Sequence, residues 1–155
     1  MITADLTAVA EYVAGLPAAS GKVVVAGFCW GGAQTFRFAT NNEVLAAAFP
    51  FYGTGPKDST VFGRITAPVH GFYGGNDARV NATIPTTSDL MKAAGKTYEP
   101  VIYEGARHGF MRAGEAPDAD AADRTARDPR NNKPDARHRA PSLRSQPDYP
   151  LKMAV

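Results

Sequence analysis

Residues 22 to 32 read KVVVAGFCWGG, and this stretch decides how the rest of the chain folds. Val23, Val24 and Val25 are too few and too β-branched for a helix. An apolar run without alternation suits a central parallel strand covered on both faces. Gly27, Gly31 and Gly32 then surround Cys29, the one cysteine in 155 residues. A strand that turns sharply into a helix needs small residues around the turn, because the backbone is strained and neighbouring elements approach closely. The pattern G-x-C-x-G is that of a nucleophile elbow with cysteine in the serine position. A side chain at 29 would stand at the N-terminus of the following helix, where unsatisfied N–H groups and the macrodipole favour an anion, here a thiolate. The competing reading of an isolated cysteine is a small buried hydrophobe, its commonest fate.

Working outward, Leu6, Val9, Val13 and Leu16 recur at spacings of three and four. They predict a helix that Thr3 could cap and that ends near Leu16-Pro17. After the elbow, Gly31 to Thr40 reads as a helix closed by Asn41-Asn42, and Ala46 to Phe51 as a strand. A glycine- and proline-bearing loop leads to a third strand at Pro68 to Tyr73, which stops at the turn Gly74-Gly75-Asn76-Asp77. Ile84 to Ala94 reads as a helix with Thr83 as cap, Pro85 in the first turn and Gly95 just past the end. The fourth strand is Glu99 to Tyr103, followed by the loop GARHGF. The alternation predicts an α/β fold: a parallel sheet of about four strands with flanking helices and no repeats. In such sheets ligands bind at the carboxyl ends of the strands, where Cys29, Asp77 and His108 all fall.

Residues 1–111 carry 8 Lys+Arg and 8 Asp+Glu; residues 112–155 carry 9 and 7, so the whole excess of +2 lies in the tail. Mixed signs make a poor nucleic-acid stripe, and no nucleic-acid partner is expected. From Arg112 no Leu, Ile, Val, Met or aromatic occurs before Leu143, and six of twelve prolines lie there. The expectation is one domain over 1–111 and a disordered tail over 112–155, since such a segment buries too little to offset its ordering entropy. The composition changes so abruptly after about Thr125 that a shifted reading frame would account for it. No run approaches the ~18 apolar residues of a membrane span, and no export leader is seen, so a soluble, cytoplasmic protein without membrane partners is expected. A lone cysteine cannot form an internal disulfide.

Two residues further along the chain raise Cys29 above a packed thiol. An aspartate on a tight turn after a strand, then a histidine in a loop after the next strand, is the α/β-hydrolase order of nucleophile, acid and histidine. Here the chain, from about Gly21 to Met111, resembles the C-terminal half of the dienelactone hydrolase family. The resemblance is carried by GFCWGG, GGNDARV and GARHGF, at gaps of 48 residues from Cys29 to Asp77 and 31 from Asp77 to His108. It implies a partial α/β-hydrolase fold and hydrolysis of a small-molecule lactone or carboxylic ester through an acyl-enzyme, with no cofactor and no metal. By the same resemblance Cys29 is the nucleophile, His108 the base, and Asp77 the group that orients His108. The backbone N–H of Trp30 is one oxyanion donor, and Arg112 falls where the family places an arginine that grips a substrate carboxylate. Phe51 and Tyr52, at a strand end, are core residues by default that could line the substrate pocket.

A full hydrolase of this fold has roughly a hundred further residues before the elbow, supplying the first strands and a second oxyanion donor. Without them the Val23 to Ala26 strand is an edge with unpaired N–H and C=O groups, open to the missing N-terminal half or to self-association. Turnover by this chain alone is therefore in question. Two other readings compete. An amidotransferase-like cysteine site is discounted, because it would need an acidic residue two positions after the histidine, where Phe110 stands. A non-catalytic pairing module would leave Cys29 a passive or redox-sensitive thiol. His70 within a strand is expected to be packed or hydrogen-bonded, His138 to lie in the tail, and Asp58 and Asp89 to sit on the surface.

Overall fold

The computed structural model describes residues 2–128 and residue 130. The valine run becomes β1 (Val23–Phe28), and the elbow passes it directly into α2 (Trp30–Ala39). The chain then gives β2 (Leu45–Phe51), a 3-10 helix (Ser59–Arg64), β3 (Val69–Gly74), a short α3 (Ala78–Asn81), α4 (Ile84–Ala93) and β4 (Tyr98–Tyr103). Before β1 lies α1 (Ile2–Ala14); after β4 come α5 (Phe110–Ala113) and α6 (Ala121–Arg127). The four strands are parallel and ordered β1-β2-β3-β4, in register Gly27 with Pro50, Phe51 with Phe72 and Phe72 with Val101. This is the expected four-stranded parallel sheet with flanking helices, and all four carboxyl ends open on one rim.

Side chains alternate between the two faces of a strand, and two cores result. On one face Phe36, Phe38 and Ala39 of α2, Met91 of α4 and Phe62 of the 3-10 helix pack against Ala48 and Val69. On the other, Phe72 and Tyr52 pack with Ala106, Phe110 and Ala126. β3, central and buried along its whole length, carries residues of both cores. At about 25 cal/mol per Å² of apolar area, side chains such as Phe36 and Phe110, both at 0% exposure, each contribute about 2–3 kcal/mol.

Three expectations are corrected. Thr3 is not a cap, because α1 begins at Ile2 and the Thr3 carbonyl instead accepts the Thr7 hydroxyl at 2.9 Å. Thr83 is the N-cap of α4 by position, as expected, but its hydroxyl donates to the Val80 carbonyl at 2.7 Å and caps no N–H. The ordered fold also continues beyond 111. α6, capped by the Asp120 carboxylate on Ala122 N–H, inserts Ala126 and Asp123 into the interior at 0% exposure. A helix of small residues packs closely without any large apolar side chain, and so gives no hydrophobic signal. The remainder of the expected tail, 131–155 with His138, lies outside the described residues.

β1 pairs only with β2 among the described residues and is an edge strand. Its outward residues are open, Val24 at 56% and Phe28 at 48%. His70 is buried and hydrogen-bonded, its Nδ1 2.8 Å from Glu99 Oε2 and its ring stacked on Phe49. Asp58 accepts the Thr60 N–H and hydroxyl, which hold its carboxyl below the ordinary range, and Asp89 lies on the surface.

Candidate active site

The elbow is built by close backbone approach. A Cβ on Gly27 would lie 2.2 Å from the Gly31 carbonyl oxygen, and one on Gly32 2.6 Å from the Phe51 carbonyl oxygen. Only glycine fits at both. Gly31, by contrast, faces open space. Cys29 itself has φ 54, a left-handed value that costs a non-glycine residue about 1–2 kcal/mol. The turn is held by the Cys29 N–H on the Phe51 carbonyl at 3.1 Å and the Gly32 N–H on the Cys29 carbonyl at 3.0 Å. These bonds turn the exposed thiol out at the N-terminus of α2. Trp30, first residue of α2, has no intrahelical acceptor for its N–H, which stands beside the thiol's own backbone.

Asp77 follows the end of β3 and caps α3, accepting the Val80 N–H at 3.4 Å; it is 7% exposed. Its Oδ2 lies 2.5 Å from Nδ1 of His108. A carboxylate can only accept, so Nδ1 carries the hydrogen, and in the neutral ring Nε2 keeps its lone pair. The loop bearing His108 is clamped from α6, where Asp123 accepts the Arg107 backbone N–H at 2.8 Å and the Arg107 guanidinium at 2.6 Å.

Cys29 and His108 open onto one cavity of about 270 Å³, completed by Trp30, Ala33, Tyr52, Gly53, Thr54, Arg79 and Val80. Tyr52 lies with its ring edge toward His108, centroids 5.0 Å apart. Burial pushes its phenol up to about 12, the nearby Cys29 adds to the rise, and the Arg112 cation opposes it. Tyr52 therefore keeps its proton and remains a donor at neutral pH. No hydrogen bond to the Cys29 sulfur forms among the described residues.

The structure thus brings together Cys29, Trp30, Tyr52, Asp77 and His108, and leaves two expected residues outside the cavity wall. Phe51 packs in the core against Phe28 and Phe72, at 4.9 and 4.7 Å, because it turns to the sheet face while the backbone kink at Tyr52 points the next ring into the site. Arg112 is exposed on α5, its charge felt at Tyr52. Sequence reasoning missed Arg79, Thr54 and Asp123. The position of Arg79 two residues after the acid was a usable signal; nothing in the sequence marked Asp123. Among the described residues no group of three or more His, Cys, Asp or Glu could hold a metal, and no helix is long and apolar enough to cross a membrane.

The sequence profile of the Dienelactone hydrolase family matches residues 1–132. The chain belongs to the dienelactone hydrolase family. Among its relatives, a protein provisionally named carboxymethylenebutenolidase from Methylorubrum extorquens is 34% identical over 120 residues, 70% of this chain and 41% of that protein. One of the same name from Salmonella typhimurium is 32% identical over 119 residues, 70% of this chain and 44% of the other. A crystal structure of a provisionally named dienelactone hydrolase from Klebsiella pneumoniae superposes with TM-score 0.68 at 31% identity, covering 81% of this chain and 56% of that one. The dienelactone hydrolase-like promiscuous phosphotriesterase P91 from metagenomic libraries gives TM-score 0.67 at 25% identity, covering 84% and 59%. The chain spans less than half the length of these curated relatives. As a dienelactone hydrolase family member it has the α/β-hydrolase fold.

Proposed function

We propose that this chain carries the thiol site of a hydrolase acting on a small-molecule lactone or carboxylic ester, with Cys29 as nucleophile, His108 as base and Asp77 as the orienting acid. One observation carries the reading: His108 is held by Asp77 at 2.5 Å on the rim of the cavity that Cys29 also lines. The family and the names of its relatives, dienelactone hydrolase and carboxymethylenebutenolidase, support the substrate class.

The groups present define the chemistry. The Cys29 sulfur attacks the carbonyl carbon, and His108 Nε2 takes the thiol proton. The developing oxyanion accepts from the Trp30 N–H, and this fixed donor costs no reorganisation when charge appears. Collapse breaks the C–O bond, the leaving oxygen takes the proton from His108, and an acyl-thioester remains. Water, deprotonated by His108, then attacks the thioester and expels the Cys29 thiolate. Asp77 keeps the ring in the required tautomer and stabilises the imidazolium in each step.

The test is acylation of the whole chain by an activated p-nitrophenyl ester, followed by nitrophenolate release and by mass at Cys29. Cys29→Ser and His108→Ala should each abolish the burst; unchanged bursts in both would end the proposal. The open edge of β1 favours a second role, association through that strand with a second copy or with a chain supplying further strands. Sedimentation that finds a monomer at all concentrations, and no complex with a supplied N-terminal half of a relative, would remove it.

A further inference from the structure

Gly105 and Gly109, with φ of 76 and 80, bracket Ala106, Arg107 and His108, and glycines lend a loop no stiffness of their own. Two contacts from outside fix this segment. On the side of β3, Asn76 donates its N–H to the Ala106 carbonyl at 2.9 Å and its side-chain amide to the Gly105 carbonyl at 3.0 Å. On the side of α6, the Arg107 N–H donates to Asp123 Oδ1 at 2.8 Å, while the guanidinium Nε–H and Nη2–H donate to Oδ2 at 2.8 and 2.6 Å. α6 is firmly seated: Ala126 lies in the core, and the Asp123 carbonyl oxygen is so close to Gly114 that a Cβ there would come within 2.5 Å of it. Burying a carboxylate is costly unless it is paired and hydrogen-bonded, and for packing alone an alanine would serve, as it does at 126. What the carboxylate adds is direction, since it holds the peptide immediately before the base.

Resting on the hydrolase reading above, we infer that Asp123 is a positioning residue for that reaction: by fixing the Arg107 peptide it aims the His108 ring so that Nε2 serves the Cys29 thiol. Asp123 stands outside the cavity wall and acts through the residue before the base. Asp77 restrains the ring through its Nδ1 bond, and the backbone anchors decide where the far nitrogen points. A reacting group displaced by about 1 Å loses roughly 100-fold in rate, so a loop released from α6 impairs proton removal while leaving the thiol and the Trp30 N–H in place.

The experiment is single-turnover acylation of the whole chain by p-nitrophenyl acetate at pH 7 and pH 9.5, over a range of ester concentrations, with spontaneous hydrolysis subtracted. The sulfur–carbon bond forms as p-nitrophenolate leaves with the electron pair of the broken C–O bond, and this leaving group needs no proton. At pH 7 His108 must take the thiol proton; at pH 9.5, above the ordinary thiol value of about 8.5, the solvent takes it. Asp123→Ala should lower the saturating rate about 10- to 100-fold at pH 7 with the half-saturating concentration changed less than twofold, and the deficit should shrink to about threefold at pH 9.5. Asp123→Asn, which keeps an acceptor for the Arg107 N–H, should recover most of the loss. Where Asp123→Ala does not fold, Asp123→Glu, which keeps the charge but shifts the acceptor by one bond, should show the same deficit at pH 7 and the same recovery at pH 9.5. An equal loss at both pH values, a folded variant within twofold of the unaltered chain at pH 7, or an Asn variant no better than Ala overturns the inference while leaving the hydrolase reading in place. Absence of acylation in the unaltered chain, or a rate at pH 7 that His108→Ala leaves unchanged, overturns both.

Discussion

Asp123, wholly buried on α6, accepts three hydrogen bonds from Arg107: Oδ1 takes its backbone N–H at 2.8 Å, and Oδ2 takes the guanidinium Nε–H and Nη2–H at 2.8 and 2.6 Å. The helix that looked too polar to fold thereby anchors the loop that presents His108. Asp123→Ala strips the backbone N–H of its acceptor, which costs about 1–3 kcal/mol. Asp123→Asn keeps an acceptor and should lose less. Urea unfolding of the two variants checks the order; equal midpoints for Ala, Asn and the unaltered chain would contradict it.

The elbow separates geometry from chemistry. Gly27→Ala would press a methyl to 2.2 Å from the Gly31 carbonyl oxygen and should cost about 1–3 kcal/mol or prevent folding, whereas Gly31→Ala meets nothing within 4 Å and should be neutral or slightly stabilising. Cys29→Gly relieves the φ of 54 and should gain about 1 kcal/mol; Cys29→Ala keeps the Cβ and should not. Thermal midpoints decide, and a Cys29→Gly protein no more stable than Cys29→Ala would show that the elbow stores no strain.

The strands, the elbow and the order of Cys29, Asp77 and His108 were legible because each has a local cause: β-branched runs, glycines at fixed offsets, turn residues after strands. Arg79 could have been weighed, since α3, which Asp77 caps, carries it to the same cavity. Phe51 and Tyr52 could not be told apart. Both rings pack on Phe110 on the same side of the sheet, and which one reaches the site depends on the backbone kink at Tyr52. α6 was invisible for a different reason. Its burial rests on alanines and one paired carboxylate, and a hydrophobic pattern does not record a salt bridge formed 16 residues away.

The Asp77–His108 bond makes a prediction about tautomers. In Asp77→Asn the amide can donate to Nδ1, which moves the ring hydrogen to Nε2 and leaves no lone pair for the Cys29 proton. Acylation should fall roughly ten-thousand-fold at neutral pH with little change in folding, because the amide oxygen can still accept the Val80 N–H that starts α3. Burst kinetics beside circular dichroism test this. A loss below tenfold with native structure would mean that Asp77 does not control the base.

Alkaline pH tests the packing beneath the site. Tyr73 and Tyr98 share a hydrogen bond of 2.7 Å between their hydroxyls. Burial raises the Tyr73 phenol from 10.0 to about 12, the bond to Tyr98 opposing slightly; burial, the Tyr73 charge and the shared bond raise Tyr98 further. Unfolded tyrosines release their protons near the ordinary value, while these two keep theirs, so above that pH the folded state binds more protons than the unfolded one. The stability they contribute is fully present below about pH 10 and declines as pH climbs toward and beyond 12, by at most about 1.4 kcal/mol per pH unit for each group. Phenolate absorbance from this pair should therefore appear together with loss of the helical signal. Tyr73→Phe/Tyr98→Phe should flatten the decline, and phenolate formation near pH 10 in a chain that remains folded would refute the account.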